Sequence, residues 1–144
     1  MVDNQDSPNV ALVKEYFLRV DTGEDVSPLF TEDFTFFYPK FGLTTGMQAF
    51  MEFATGLFTK VKSIGHPIAT LNFIEQGDQL VAEGLFHGEM HSGAHWAPGE
   101  TPAGRFCSVF GLRNGRIHRM HIYVDPDYAG SNAAGFLWGT DRKW

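Results

Sequence analysis

Asn114-Gly115 lies between two runs of strand-forming residues, 106–112 and 117–124. Both residues accept the left-handed backbone of a two-residue type I′ turn, so the pair predicts a tight hairpin of fixed register. Strict alternation outward from the turn puts Phe106, Ser108, Phe110, Leu112, Ile117, Arg119, His121 and Tyr123 on one face. Arg105, Cys107, Val109, Gly111, His118, Met120, Ile122 and Val124 fall on the other. Both faces are substantially apolar, whereas a solvated sheet face should be polar. One is therefore expected to pack on helices and the other on a second copy of the chain, giving a homodimer.

The helices to cover that sheet come earlier in the sequence. Ser7 reads as an N-cap, Pro8 as the first helical residue, and Val10, Val13, Phe17 and Val20 recur at helical spacing until Gly23. Ser27-Pro28 starts a second, short helix. Residues 34–38 form a strand stopped at Pro39. Met47, Phe50, Met51, Ala54, Leu57, Phe58 and Val61 then mark the clearest amphipathic helix of the chain. From His66 onward the texture is β, with strands over 68–75 and 80–90 flanking the turn Gln76-Gly77-Asp78-Gln79. Helices first and strands later predict an α+β fold with helices on one face of an antiparallel sheet.

The 144 residues make one domain with one core, and a formal net charge of -6 without a basic stripe disfavours nucleic acid and anionic membranes as partners. A small-molecule ligand fits better. No apolar run reaches the length of a membrane span, the polar start has no secretory h-region, and the single Cys107 permits no internal disulfide, so a cytoplasmic protein is expected. Aromatic residues make up 15%, with 14 Phe, which suits an aromatic-lined cavity or interface. The Gly- and Pro-rich stretch between Met90 and Arg105 carries Trp96. The tail after Gly130 carries Phe136, Leu137, Trp138 and Trp144. These rings are expected at the rim of a pocket.

Asp21 breaks a local rule. It ends the first helix, at the negative end of the helix dipole, where a carboxylate is disfavoured. Glu24 and Asp25 precede the next helix, where negative charge is favourable. A residue in conflict with its local electrostatics marks a place to look for function. A carboxylate bonded to one imidazole nitrogen fixes the ring tautomer and raises the basicity of the other nitrogen, so a His–Asp pair can abstract a proton without a metal. Asp21 is the candidate orienting group and His66, at the head of the β region, the candidate base. His87, His91 and His95 are spaced by four, but Gly88 and Gly93 interrupt a strand and loop rather than a helix, so no metal site is expected. No Gly-x-Ser-x-Gly elbow or phosphate-binding glycine loop is present, and Cys107 lies in a strand, where an inert thiol is expected.

Three segments carry a family resemblance: residues 16–25 (Tyr16 through Asp21 to Asp25), Leu29-Phe30-Thr31-Glu32-Asp33, and Gly115-Arg116-Ile117 leading to Tyr123-Val124-Asp125. In order and spacing the chain resembles the nuclear-transport-factor-2-like superfamily and its SnoaL-like proteins from about Val10 to Asp125. The resemblance implies a cone-shaped curved antiparallel sheet covered by N-terminal helices, the cystatin-like or SnoaL-like α+β barrel. It implies one SnoaL-like domain over residues 1–144, with a core of about 8–126 and an aromatic tail of 127–144. Ketosteroid isomerase chemistry is disfavoured, because its two acids would fall on Tyr38 and near Cys107 or Ser108. Limonene-epoxide hydrolase chemistry is disfavoured too, because its last-strand Asp would fall near Ile122.

The pattern is closest to the branch of scytalone dehydratase and hexachlorocyclohexane dehydrochlorinase, whose Asp and His match Asp21 and His66. A dehydratase Tyr matches Tyr38 and a second His matches His87, although strand alternation points His87 away unless a bulge intervenes. A second dehydratase Tyr falls on Val20, so scytalone itself is not expected. The resemblance implies a lyase or isomerase without metal or organic cofactor, acting on a small, largely apolar carbonyl or hydroxyl compound. His66, Asp21, Tyr38, Tyr16 and His87 are its expected catalytic set. Trp96, Cys107, Met120, Val124, Phe53 and Trp138 are the expected substrate contacts. The alternative is a non-catalytic small-molecule-binding or dimerisation domain of the same fold.

Overall fold

The computed structural model describes residues 5–136. Helix α1 (Pro8–Thr22) starts as its sequence dictates: Ser7 Oγ accepts the Val10 N–H at 3.1 Å, and Gly23, with φ of 75°, closes the last turn. That cap contributes about 1 kcal/mol. A single 3-10 turn at Ser27–Leu29 leads into β1 (Phe30–Tyr38) and β2 (Gly42–Thr45). Helix α2 (Met47–Phe58) ends before Val61, which instead opens β3 (Val61–Gly65), where its side chain is buried.

Two expected strands are interrupted. Ile68–Thr70 forms a 3-10 turn, so β4 (Asn72–Gln76) begins late before pairing with β5 (Gln79–Leu85). The run expected over 80–90 breaks at Phe86, whose N–H donates to the Gly104 carbonyl at 2.9 Å, and resumes as β6 (His87–Met90). The short β7 (His95–Trp96) and the long hairpin β8 (Arg105–Arg113) and β9 (Arg116–Val124) complete the chain.

The main sheet has the order β2-β1-β9-β8-β5-β4, and a smaller one has the order β3-β6-β7. The curved main sheet is mixed rather than wholly antiparallel, because β1 pairs parallel to β9. Parallel neighbours need a long connection, and everything between β1 and β9 supplies it. Val13 and Phe17 of α1 join Phe34, Phe36, Phe110, Ile117 and Met120 in the fully buried core.

The hairpin turn is as predicted, with positive φ at Asn114 and Gly115, but the register beyond it is not. Leu112 faces Ile117, while the next pair is Gly111 with Arg119, so His118 is an extra residue in a β-bulge. The bulge exchanges the faces of the rest of β9. Met120, Ile122 and Val124 join Phe106, Ser108 and Phe110 on the inner face, and Arg119, His121 and Tyr123 turn outward with Cys107 and Val109. Strict alternation would have buried an arginine and a histidine beside Phe110. Gly111 makes room, since a Cβ there would lie 2.8 Å from the His118 ring.

The outer face carries a continuous row across all six strands: Leu43, Phe37, His121, Val109, Val81 and Ile74. Among the described residues, no helix is long and apolar enough to cross a membrane.

Candidate active site

The carboxylate that conflicts with its helix is satisfied from outside the helix. Asp21 Oδ2 accepts the backbone N–H of His66 at 2.7 Å, and Oδ1 accepts from His66 Nδ1 at 2.6 Å. Hydrogen bonds to a charged group stabilise by about 1.5–3 kcal/mol each. The unfavourable dipole costs about 0.3–1 kcal/mol, so the bonds win. An ionised carboxylate only accepts, so the short bond requires Nδ1 to carry the proton, and the neutral ring then has its lone pair on Nε2. His66 follows β3 and precedes Pro67, which favours extended backbone at that position. Phe86 stacks on its ring at 4.8 Å and 19°, with Phe17 at 4.8 Å and Phe106 edge-on at 5.1 Å.

The same ring forms part of the wall of a cavity of about 420 Å³ between the helices and the inner sheet face. That size suits a small organic molecule. Its wall is aromatic and aliphatic, with Phe53, Phe86, Phe106, Ile122 and Val124 prominent. Among the described residues lining it there is no lysine or arginine, and Glu24 is the one carboxylate. Four hydroxyl residues interrupt the apolar wall: Tyr16, Tyr38, Thr55 and Ser108. Burial, and secondarily the charge of Asp21, pushes the Tyr16 phenol far above its ordinary range. Burial does the same to Tyr38, with smaller contributions from Tyr128 and Tyr16. Both phenols are therefore neutral hydrogen-bond donors across the physiological range.

His66, Tyr16, Tyr38, Phe53 and Val124 thus line one cavity, with Asp21 bonded to His66 but not on the wall. Other expected members are elsewhere. His87 is exposed, and its ring covers Gly65 on the far side of β3, where a Cβ would clash with it at 2.3 Å. The break at Phe86 turns that phenylalanine, not His87, toward the base. The bulge at His118 separates Cys107 from the inner-face residues expected beside it. Cys107 instead borders a groove with Glu83, Arg105 and Tyr123, and burial raises its thiol pKa. Met120 is on the inner face but sits in the solid core, not on the cavity wall.

Trp96 is no lid. It is 1% exposed and lies over Gly88, where any side chain would collide with it, between Phe86 and Tyr128. Phe136 is exposed, and Trp138 lies outside the described residues. His91 Nε2 donates to the Phe58 carbonyl and His95 pairs with Glu100, so the three spaced histidines do not converge. Among the described residues no group of three His, Cys, Asp or Glu is placed to hold a metal.

Sequence reasoning missed Ser108, although a lone hydroxyl in the run Phe106, Ser108, Phe110, Leu112 is a visible break in an apolar face. It missed Phe86 and Tyr128 because nothing local distinguishes them from core aromatics.

The architecture is that of the NTF2-like proteins. The fold is shared with an NTF2-like protein of unknown function from Burkholderia pseudomallei K96243, at 19% identity over 83% of this chain and 92% of that one, with a TM-score of 0.72. It is shared with TerC, crystallised with polyporic acid, at 20% identity over 83% and 92%, TM-score 0.69. A protein from Xanthomonas campestris pv. campestris, provisionally described as a polyketide cyclase, matches at 18% identity over 82% and 90%, TM-score 0.71. No curated protein matches the sequence. Residues 13–120 match the SnoaL-like domain, and the chain belongs to that family.

Proposed function

We propose that this SnoaL-like chain is a lyase or isomerase that works without metal or organic cofactor on a small, largely apolar carbonyl or hydroxyl compound, in the manner of the scytalone dehydratase and dehydrochlorinase branch. His66 Nε2 takes a proton from carbon, Asp21 holds the ring and stabilises the imidazolium, and Tyr38 or Tyr16 donates to the oxygen that gains charge. The observation that carries this reading is the 2.6 Å bond from Nδ1 to Asp21 on a ring that also walls an apolar cavity. The apolar surroundings strengthen each of these electrostatic contacts. The absence of lysine and arginine from the described lining argues for a substrate that is neutral where it is enclosed. TerC, which shares the fold, was crystallised with polyporic acid, and this supports a small-molecule ligand.

The test is a thermal-shift screen of neutral ketones and enols, repeated with His66→Ala. A compound that stabilises the protein and loses a proton-dependent conversion in His66→Ala and Asp21→Asn supports the enzyme. Ligands that bind both variants as well as the parent, with no conversion, leave the binding-domain alternative ahead. We also propose that the outer apolar row pairs with a second copy of the chain, making the protein a homodimer.

A further inference from the structure

Tyr38 does not meet the cavity alone. Its hydroxyl is hydrogen-bonded to that of Tyr128, which is not on the cavity wall and comes from the segment after β9. Tyr128 is fixed from several sides. It meets Trp96 at 4.7 Å with the rings tilted by 32° and Phe86 edge-on at 6.3 Å, and Phe86 is the ring on which His66 lies. The backbone around it is held by Asp127, which accepts from the N–H groups of Ser131 and Asn132 and from Ser131 Oγ. Gly130 in turn packs against Thr101 and Pro102. One aromatic assembly therefore sets both the ring of the base and the hydroxyl of the phenol.

Two phenols sharing one hydrogen bond use one proton and leave the other available. If Tyr38 donated, its proton would be spent on Tyr128 and an oxygen in the cavity would meet only a lone pair. If Tyr128 donates, the Tyr38 proton is free for that oxygen, and the received bond polarises it further. An oxygen that gains negative charge selects the second arrangement, since it then ends a chain of two donors.

We propose that Tyr128 is a positioning residue, donating to Tyr38 so that the Tyr38 proton is directed to the ligand oxygen. The inference rests on the reading of this cavity as a proton-transfer site, and it adds a residue that acts without touching the ligand. The probes are 2-naphthol and its apolar isostere 2-methylnaphthalene, with binding to the full chain measured by calorimetry. The parent protein should prefer 2-naphthol. Tyr128→Phe should reduce that preference by about fivefold, the weight of one net hydrogen bond. It should leave 2-methylnaphthalene binding unchanged. The double variant Tyr38→Phe/Tyr128→Phe should be no worse than Tyr38→Phe alone.

Equal weakening of both probes by Tyr128→Phe would make the residue structural and overturn the inference. So would an additive double variant, or a parent protein with no preference. In the parent protein, where no variant has to fold, proton NMR should show slowly exchanging phenolic hydroxyl protons, and their absence also overturns it. His66→Ala separates the two readings. It should leave the 2-naphthol preference intact, since the Tyr38 proton and not His66 meets the ligand oxygen. If the Tyr128→Phe result holds but His66→Ala leaves the conversion of a screened substrate unchanged, the role of His66 fails while the Tyr128 result stands. If His66→Ala abolishes that conversion and Tyr128→Phe leaves the 2-naphthol preference unchanged, only Tyr128 fails.

Discussion

The two faces of the main sheet are both apolar, yet they are built differently. On the inner face the apolar side chains lock into the helices and stop short of filling the space, and the polar groups at the gap are few: an imidazole, two phenols, two aliphatic hydroxyls and the Glu24 carboxylate. On the outer face the apolar side chains form a row with polar neighbours such as Thr35 and Arg119, and several are well exposed, Leu43 at 67% and Tyr123 at 49%. Apolar content alone therefore does not separate a binding wall from an association surface. What separates them is whether the polar groups are enclosed and oriented, as His66 is by Asp21, or solvated.

The comparison breaks most visibly in stability. Phe110→Ala removes a fully buried ring that meets Tyr16 and Phe17 edge-on, and should cost about 3–5 kcal/mol in urea unfolding. Val109→Ala, one residue away on the outer face, should cost under about 1 kcal/mol in the monomer. Equal losses would mean that the two faces are not distinct. A smaller effect belongs to the bulge that sorts them: Gly111→Ala brings a methyl to 2.8 Å from the His118 ring and should cost about 1–3 kcal/mol.

Smaller again is the effect of a charge on the outer face, beside that row. Tyr123→Glu should leave the fold intact and shift self-association by about tenfold or more in sedimentation, since like charges meet across a two-fold interface. A parent protein that is monomeric at micromolar concentration removes the homodimer proposal.

The last effect vanishes at neutral pH. Burial raises the phenols of Tyr16 and Tyr38, so above the ordinary tyrosine range near 10 the unfolded chain loses protons that the folded chain keeps. The unfolded state then binds fewer protons, and stability falls as pH rises. Absorbance at the tyrosinate band should show these two phenols ionising only as the protein unfolds. Free titration of all four tyrosines in the folded state would contradict it.

Much of this was legible in the chain because it is local. Ser7-Pro8, Gly23 and Asn114-Gly115 act through their own backbone, and Asp21 was conspicuous because it opposes the dipole of its own helix. The rest depended on contacts between distant segments. His118 becomes a bulge only because Arg119 and His121 would otherwise be buried, so Cys107 was placed on the wrong side of the sheet. Trp96 became core because Gly88, on the adjacent strand, has no side chain, and His87 was turned outward by the break at Phe86. Tyr128 acquires a role only through its partner on β1, 90 residues earlier. The parallel pairing of β1 with β9 is likewise set by the whole intervening chain.

The central claim is that Asp21 holds His66 as a proton acceptor facing the cavity. Nitrogen-15 NMR of the imidazole tests it without any substrate. The neutral ring of His66 should be a single tautomer with the proton on Nδ1, and Asp21→Asn should turn it into a mixture, because an amide can either donate or accept. A proton on Nε2 in the parent protein, or a tautomer unchanged by Asp21→Asn, would contradict the account.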